Sequence, residues 1–147
     1  MSPPDRIETD LLVAFFQPAL KAPDGPAGLI DLRLGGVLRR HLEEGGRQGT
    51  SLLVRGGARL AGKWAMLLAG LPEEGPDVLG EKALTAARKA GFRSLVIAPP
   101  VERDIEPGRW LEAFQVLAGN GEFADMECMV TFNRSYMHDH SAIIFNA

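Results

Sequence analysis

The strongest constraint on the fold is an unbroken apolar run, Leu11-Leu12-Val13-Ala14-Phe15-Phe16, opened by Asp10 and closed by Gln17-Pro18. A strand with one wet face would show a polar residue at every second position. None occurs here, so the run reads as a strand buried on both faces and placed inside a sheet. Such a strand needs helices above and below it, and the rest of the chain supplies helical patterns between further strand patterns.

Lys21 to Gly28 contains two prolines and two glycines and reads as a loop. From Leu32 to Glu43, apolar positions 34, 37, 38 and 42 follow helical spacing, with Asp31 as N-cap and Gly45-Gly46 as the stop. Gly35-Gly36 weakens this helix, and close packing on the sheet is the expected reason. Thr50 to Val54 and Trp64 to Ala69 read as strands whose connection, residues 55–62, is long for a tight hairpin. Leu79, Ala83, Ala86, Ala87 and Ala90 mark a second helix that begins near Asp77 after Pro76 and closes at Gly91. Ser94 to Ala98 is a short strand. Pro107 opens a third amphipathic helix through Trp110, Phe114 and Leu117 towards Gly119. Residues 128–132 and 141–145 close the chain as two strands. The alternation implies an α/β layered sheet, and the closing pair makes it mixed rather than purely parallel.

A chain of 147 residues suits one domain, so residues 1–147 are read as a single unit with a frayed start at 1–8. Hydrophobic residues at 46% and charged residues at 24% suit an ordinary globular protein and exclude fibrous or disordered classes. Cys128 is the only cysteine, which rules out an intrachain disulfide and a thiolate metal cluster. With neither a signal-peptide pattern at the start nor an apolar run of membrane-spanning length, a cytoplasmic location and no membrane partner are expected. The net charge of −3 conceals an asymmetry. Between residues 33 and 63, Arg33, Arg39, Arg40, Arg47, Arg55, Arg59 and Lys63 face only Glu43 and Glu44. Such a basic stretch reads as a solvated helix and loop, or else as an anion-binding face or a self-complementary assembly surface.

Three segments in this order, Asp31-Leu32-Arg33-Leu34-Gly35-Gly36-Val37-Leu38, Ser51-Leu52-Leu53-Val54 and Trp64-Ala65-Met66-Leu67-Leu68-Ala69-Gly70-Leu71, resemble the N-terminal domain of leucyl aminopeptidases. The resemblance covers roughly residues 10 to 100. It departs where that family typically has Gly-Leu-Gly, since this chain has Gly70-Leu71-Pro72. It implies a macro-like fold, a three-layer α/β/α domain with a mixed central sheet. It also implies the accessory half of a peptidase standing alone, because the Asn-Thr-Asp-Ala-Glu-Gly-Arg signature of the metal-bearing catalytic domain does not occur in these residues. No catalytic residue carries over, and activity does not follow from fold.

A macro-like fold raises ADP-ribose binding, since macrodomains hold the pyrophosphate with glycine-rich loops at strand ends. Backbone amides of such loops can point at phosphate oxygens. Gly56-Gly57 and the segment from Gly70 to Gly75 are the weak ligand-loop candidates. The second is flawed as written, because Pro72 has no amide donor and Glu73-Glu74 would repel an anion. His138 and His140 are weak metal candidates. In an extended segment they share a side while Asp139 points away, so a polar turn is the favoured reading. Cys128 lies in an apolar strand pattern, where a thiol is more often inert than reactive. The paired carboxylates at 43–44, 73–74 and 104/106 fall on loops or helix ends, and sequence spacing alone does not make any pair converge. Nucleic acid is disfavoured by the net charge and by the lack of aromatics among the basic residues.

The expected function is therefore non-catalytic, with no cofactor: protein interaction or self-assembly as a homo-oligomer, through itself or another protein, with Arg33, Arg39, Arg40 and Arg47 at the interface. The alternative is a module binding a nucleotide or ADP-ribose-type ligand.

Overall fold

The computed structural model describes residues 9–17, 25–43, 51–57, 60–71, 73–100, 107–118, 121, 123, 125–130 and 142–145. The elements are β1 (Leu11–Phe16), α1 (Gly25–Arg33), α2 (Val37–Glu43), β2 (Leu52–Arg55), β3 (Trp64–Ala69), α3 (Pro76–Lys89), β4 (Ser94–Ala98), α4 (Pro107–Ala118), β5 (Glu127–Val130) and β6 (Ala142–Phe145). They form one mixed sheet in the order β2-β3-β1-β4-β5-β6. β1 pairs in parallel with β3 and β4, and β4 with β5. The outer pairs β2–β3 and β5–β6 are antiparallel.

All six residues of β1 are buried, as the apolar run requires. Its side chains alternate between two cores. Leu11, Val13 and Phe15 pack with Leu79, Ala83 and Ala87 of α3 and with Trp110 and Phe114 of α4. Leu12, Ala14 and Phe16 pack with Ala27 and Ile30 of α1 and with Leu38 and Leu42 of α2. Full burial of a Leu or Phe side chain contributes about 1.5–3 kcal/mol, so this strand alone ties both helical layers to the sheet. The result is the expected three-layer α/β/α macro-like architecture.

Local chemistry sets the element boundaries. Pro76 sits in the first turn of α3 behind Gly75, and Gly91, at φ +92, ends that helix. Two expectations need correction. The segment expected to be a loop up to Gly28 is helical from Gly25, whose φ of +58 favours glycine and is followed directly by Pro26. The single helix expected over residues 32–43 is two helices. Gly35 and Gly36 sit at φ +78 and +80, left-handed backbone that reverses the chain, and a Cβ on Gly35 would meet nothing within 4 Å. The glycines serve a turn, not close packing on the sheet.

Asp31 holds that turn together. It is 2% exposed and sits at the end of α1, yet its carboxylate accepts the Leu38 amide at 2.6 Å and the Arg39 amide at 3.2 Å. It thus caps the helix N-terminus across the glycine pair, as its residue type suggests, but for α2 and from seven residues upstream. The Asp-Leu-x-Leu-Gly-Gly motif is a structural corner.

Candidate functional site

Adjacent parallel strands whose onward connections leave on opposite faces open a crevice beyond their carboxyl ends. β1 leads to α1 on one face, whereas β3 and β4 lead to α3 and α4 on the other. The crevice therefore lies beyond Phe16, Ala69 and Ala98, bordered by Gln17, by the segment from Gly70 to Gly75 and by Pro99-Pro100. Residues 18–24 and 101–106, which continue from β1 and β4, lie outside the described residues.

The β3–α3 connection is held close to β1. The Gly70 amide donates to the Phe16 carbonyl at 2.8 Å. A Cβ at Gly70 would lie 3.1 Å from the Phe15 Cβ and 3.3 Å from Leu79 Cδ2, so the loop packs tightly on β1 and α3 and a larger residue would require those side chains to give way. Beyond Gly70 the chain forms a turn closed in both directions. The Glu74 amide donates to the Leu71 carbonyl at 3.0 Å, and the Leu71 amide donates to Glu74 Oε1 at 2.8 Å. Lys82 reaches back from α3 to Glu74 Oε1 at 2.7 Å and Oε2 at 2.6 Å, and donates to the Ala69 carbonyl at 3.3 Å. Burial alone would raise the Glu74 carboxyl. The Lys82 hydrogen bond, the Leu71 amide and the Lys82 charge outweigh it and hold the pKa below the ordinary value. Gly75 is the N-cap of α3 in extended conformation and provides no side-chain cap, which leaves the positive end of that helix facing the same loop.

The glycine candidates fall on opposite edges of the sheet. Gly70 and Gly75 border the crevice. Gly56 and Gly57 follow β2, which runs antiparallel to β3, and so lie at the amino end of β3. There the Gly56 amide donates to the Lys63 carbonyl at 2.7 Å, and a Cβ on Gly56 would fall 2.1 Å from the Gly62 carbonyl oxygen. Gly56 is required by the approach of its own chain. That edge also carries hollows of about 470 Å³ and 370 Å³, which share Asp10 and Lys63. Their charges neutralise one another, with Lys63 paired to Asp10 at 3.3 Å and Arg93 to Asp125 at 4.0 Å. A further hollow of about 170 Å³ borders Thr9, Ser94 and Cys128. The Cys128 thiol is buried, and burial pushes its pKa up, so it is no nucleophile at neutral pH.

Among the basic candidates, Arg39 and Arg40 are exposed on α2, and Arg40 Nη1 donates to the Gly35 carbonyl at 2.7 Å, bracing the glycine turn. Arg33 ends α1 and is half-buried. Arg47, His138 and His140 lie outside the described residues. Among the described residues no group of three or more His, Cys, Asp or Glu side chains is placed to hold a metal. No helix among them is long and apolar enough to cross a membrane. The Glu74–Lys82 pair was missed in the sequence, where Glu74 appears only as a repulsive charge. Its partner lies eight positions on, and no short-range motif links them.

No protein-family model matches the sequence, and no curated protein matches it. The fold is similar to that of a macrodomain from Trypanosoma brucei, with a TM-score of 0.60 at 21% identity over 92% of this chain and 61% of that one. The same macrodomain in complex with ADP-ribose matches with a TM-score of 0.59 at 22% identity, over 92% of this chain and 63% of that one. A mutant macrodomain from Oceanobacillus iheyensis gives a TM-score of 0.64 at 15% identity, covering 89% and 79%. A mutant tomato leucine aminopeptidase gives 0.53 at 19% identity, covering 76% of this chain and 24% of that enzyme. The macro-like fold is thus common to all of these, and this chain spans 61% of the Trypanosoma macrodomain's length.

These matches correct the functional expectation. The expectation of a module for protein interaction or self-assembly gives way to its alternative, because the similar structures are mainly macrodomains, one of them solved with ADP-ribose bound.

Proposed function

We propose that this protein binds a nucleotide of the ADP-ribose type, with its diphosphate in the crevice beyond the carboxyl ends of β1, β3 and β4. The observation that carries the reading is the reversal of connections at β1, which opens the crevice at the edge where α3 presents an N-terminus without a side-chain cap. The likeness to a macrodomain solved with ADP-ribose supports it. In this reading the protein binds without breaking a bond, and its one thiol is shut in the core. The proposal includes kinship with the accessory N-terminal domain of leucyl aminopeptidases, supported by the sequence resemblance over residues 31–38, 51–54 and 64–71 and by the match to the tomato enzyme.

The test is titration with ADP-ribose and with ADP, followed by calorimetry and by amide chemical shifts. Ligand at 100 times its dissociation constant should stabilise the fold by about 2.7 kcal/mol. The amides of Gln17, Gly70 and Leu71 should move, while those of Thr9, Lys63 and Ser94 at the opposite edge stay still. An absence of heat and of shift changes at millimolar ligand overturns the reading; shifts confined to the amino edge overturn its placement.

A further inference from the structure

The Leu71 amide and the Lys82 ammonium are two donors beside the crevice that could meet an anion, and one carboxylate accepts from both. Glu74 Oε1 accepts from Leu71 at 2.8 Å and from Lys82 at 2.7 Å, while Oε2 meets Lys82 at 2.6 Å. The Glu74 side chain is only 14% exposed and that of Lys82 is 40% exposed, so the carboxylate lies on the inner side of the pair and the cation towards solvent. A carboxylate that accepts a backbone amide and bridges to a lysine makes the contacts a phosphate oxygen would make.

We infer that Glu74 is a built-in competitor for the anion site. It fills the position of a ligand phosphate on Leu71 and Lys82, and it must swing away for a diphosphate to take both donors. The inference rests on the ligand-binding reading above and adds its regulation. The Glu74 carboxylate, which looks in sequence like a repulsive charge beside the loop, is neutralised by Lys82 in the closed state. Binding exchanges one anion for another on the same donors. Affinity is therefore set by the difference between two similar interactions, and it is weaker than the donor set alone would provide.

Glu74→Gln keeps the side-chain length and an acceptor for Leu71 but removes the charge that holds Lys82. Calorimetric titration with ADP-ribose should show it binding on the order of tenfold more tightly than the natural protein, since a charge-assisted contact no longer has to be broken. Lys82→Met should weaken binding by a similar factor. In the natural protein the Leu71 amide resonance should move on titration as its acceptor changes from carboxylate to phosphate, a readout that needs no variant to fold. Glu74→Ala serves as a second variant and should also bind more tightly. If the natural protein binds ADP-ribose while Glu74→Gln binds equally or less well and Leu71 stays still, the competitor is refuted and the ligand reading stands. If natural protein and both Glu74 variants melt cooperatively yet none binds, the ligand reading falls and the competitor with it. Tighter binding by both Glu74 variants than by the natural protein, with the Leu71 resonance of the natural protein moving on titration, supports both.

Discussion

Removing the Asp31 carboxylate should cost far more than its position at the end of an ordinary helix suggests. Asp31→Ala leaves the Leu38 and Arg39 amides, now accepted at 2.6 and 3.2 Å, without a partner in a corner where Asp31 itself is 2% exposed. Loss of an N-cap costs about 1 kcal/mol, and a buried donor left unmet costs about 1–3 kcal/mol. The two overlap on the same amides, which puts the total at about 2.5 kcal/mol. Nothing local offsets this, because α2 has seven residues, too few to hold itself helical. An unfolding entropy of about 2.1 cal/mol/K per residue gives roughly 0.3 kcal/mol/K for this chain, so the melting temperature should fall by about 8 °C. Urea unfolding at constant m is the direct assay. Asp31→Asn, which keeps one acceptor oxygen, should lose about half as much. Leu32→Ala, one residue on and 60% exposed, should stay within about 0.5 kcal/mol. If Asp31→Ala were no worse than Leu32→Ala, the corner would not depend on the carboxylate.

The adjacent glycines at the amino edge should behave oppositely. Gly56→Ala places a Cβ 2.1 Å from the Gly62 carbonyl and should cost about 3 kcal/mol or more, whereas Gly57→Ala meets nothing within 4 Å and should change stability by less than about 1 kcal/mol. Equal urea midpoints would refute the close approach. Cys128 should resist alkylation at pH 8 in the folded protein and react fully in denaturant, since burial raises its pKa and withholds the thiolate. Rapid labelling at a rate independent of unfolding would contradict this. The Glu74 carboxyl has its pKa lowered from 4.5, so its stabilising effect is complete above that value and is lost as pH falls through the lowered one. The stability difference between the natural protein and Glu74→Gln should therefore hold above the ordinary carboxyl value of 4.5 and shrink as pH falls below it and through the lowered pKa. A constant difference would show that the pair does not tie the loop.

The elements legible in the sequence are those whose signals are local. The apolar run of β1 requires cover on both faces, and Pro76, Gly91 and Pro107 mark helix ends by what proline and glycine do to the backbone. The misread segment at residues 25–43 shows where local signals are ambiguous. Gly25-Pro26 has loop composition, but one residue has a positive φ and the other suits a first helical turn, which together start α1. The apolar spacing at 34, 37, 38 and 42 passes through the break at Gly35-Gly36 unchanged, because both sides of the turn pack on the same face of the sheet. Periodicity reports which side is buried and is blind to a reversal that preserves it. The site was less legible for a related reason. Gly56 and Gly70 both follow strands, and only the antiparallel pairing of β2 with β3 sends them to opposite edges. Glu74 has the opposite meaning in three dimensions from the one it has in the sequence. Its charge is visible at position 74, but its sign of effect on an anion depends on Lys82, which one turn and two turns of helix bring back onto it. A charge beside a candidate loop can therefore be judged only with its partner in view.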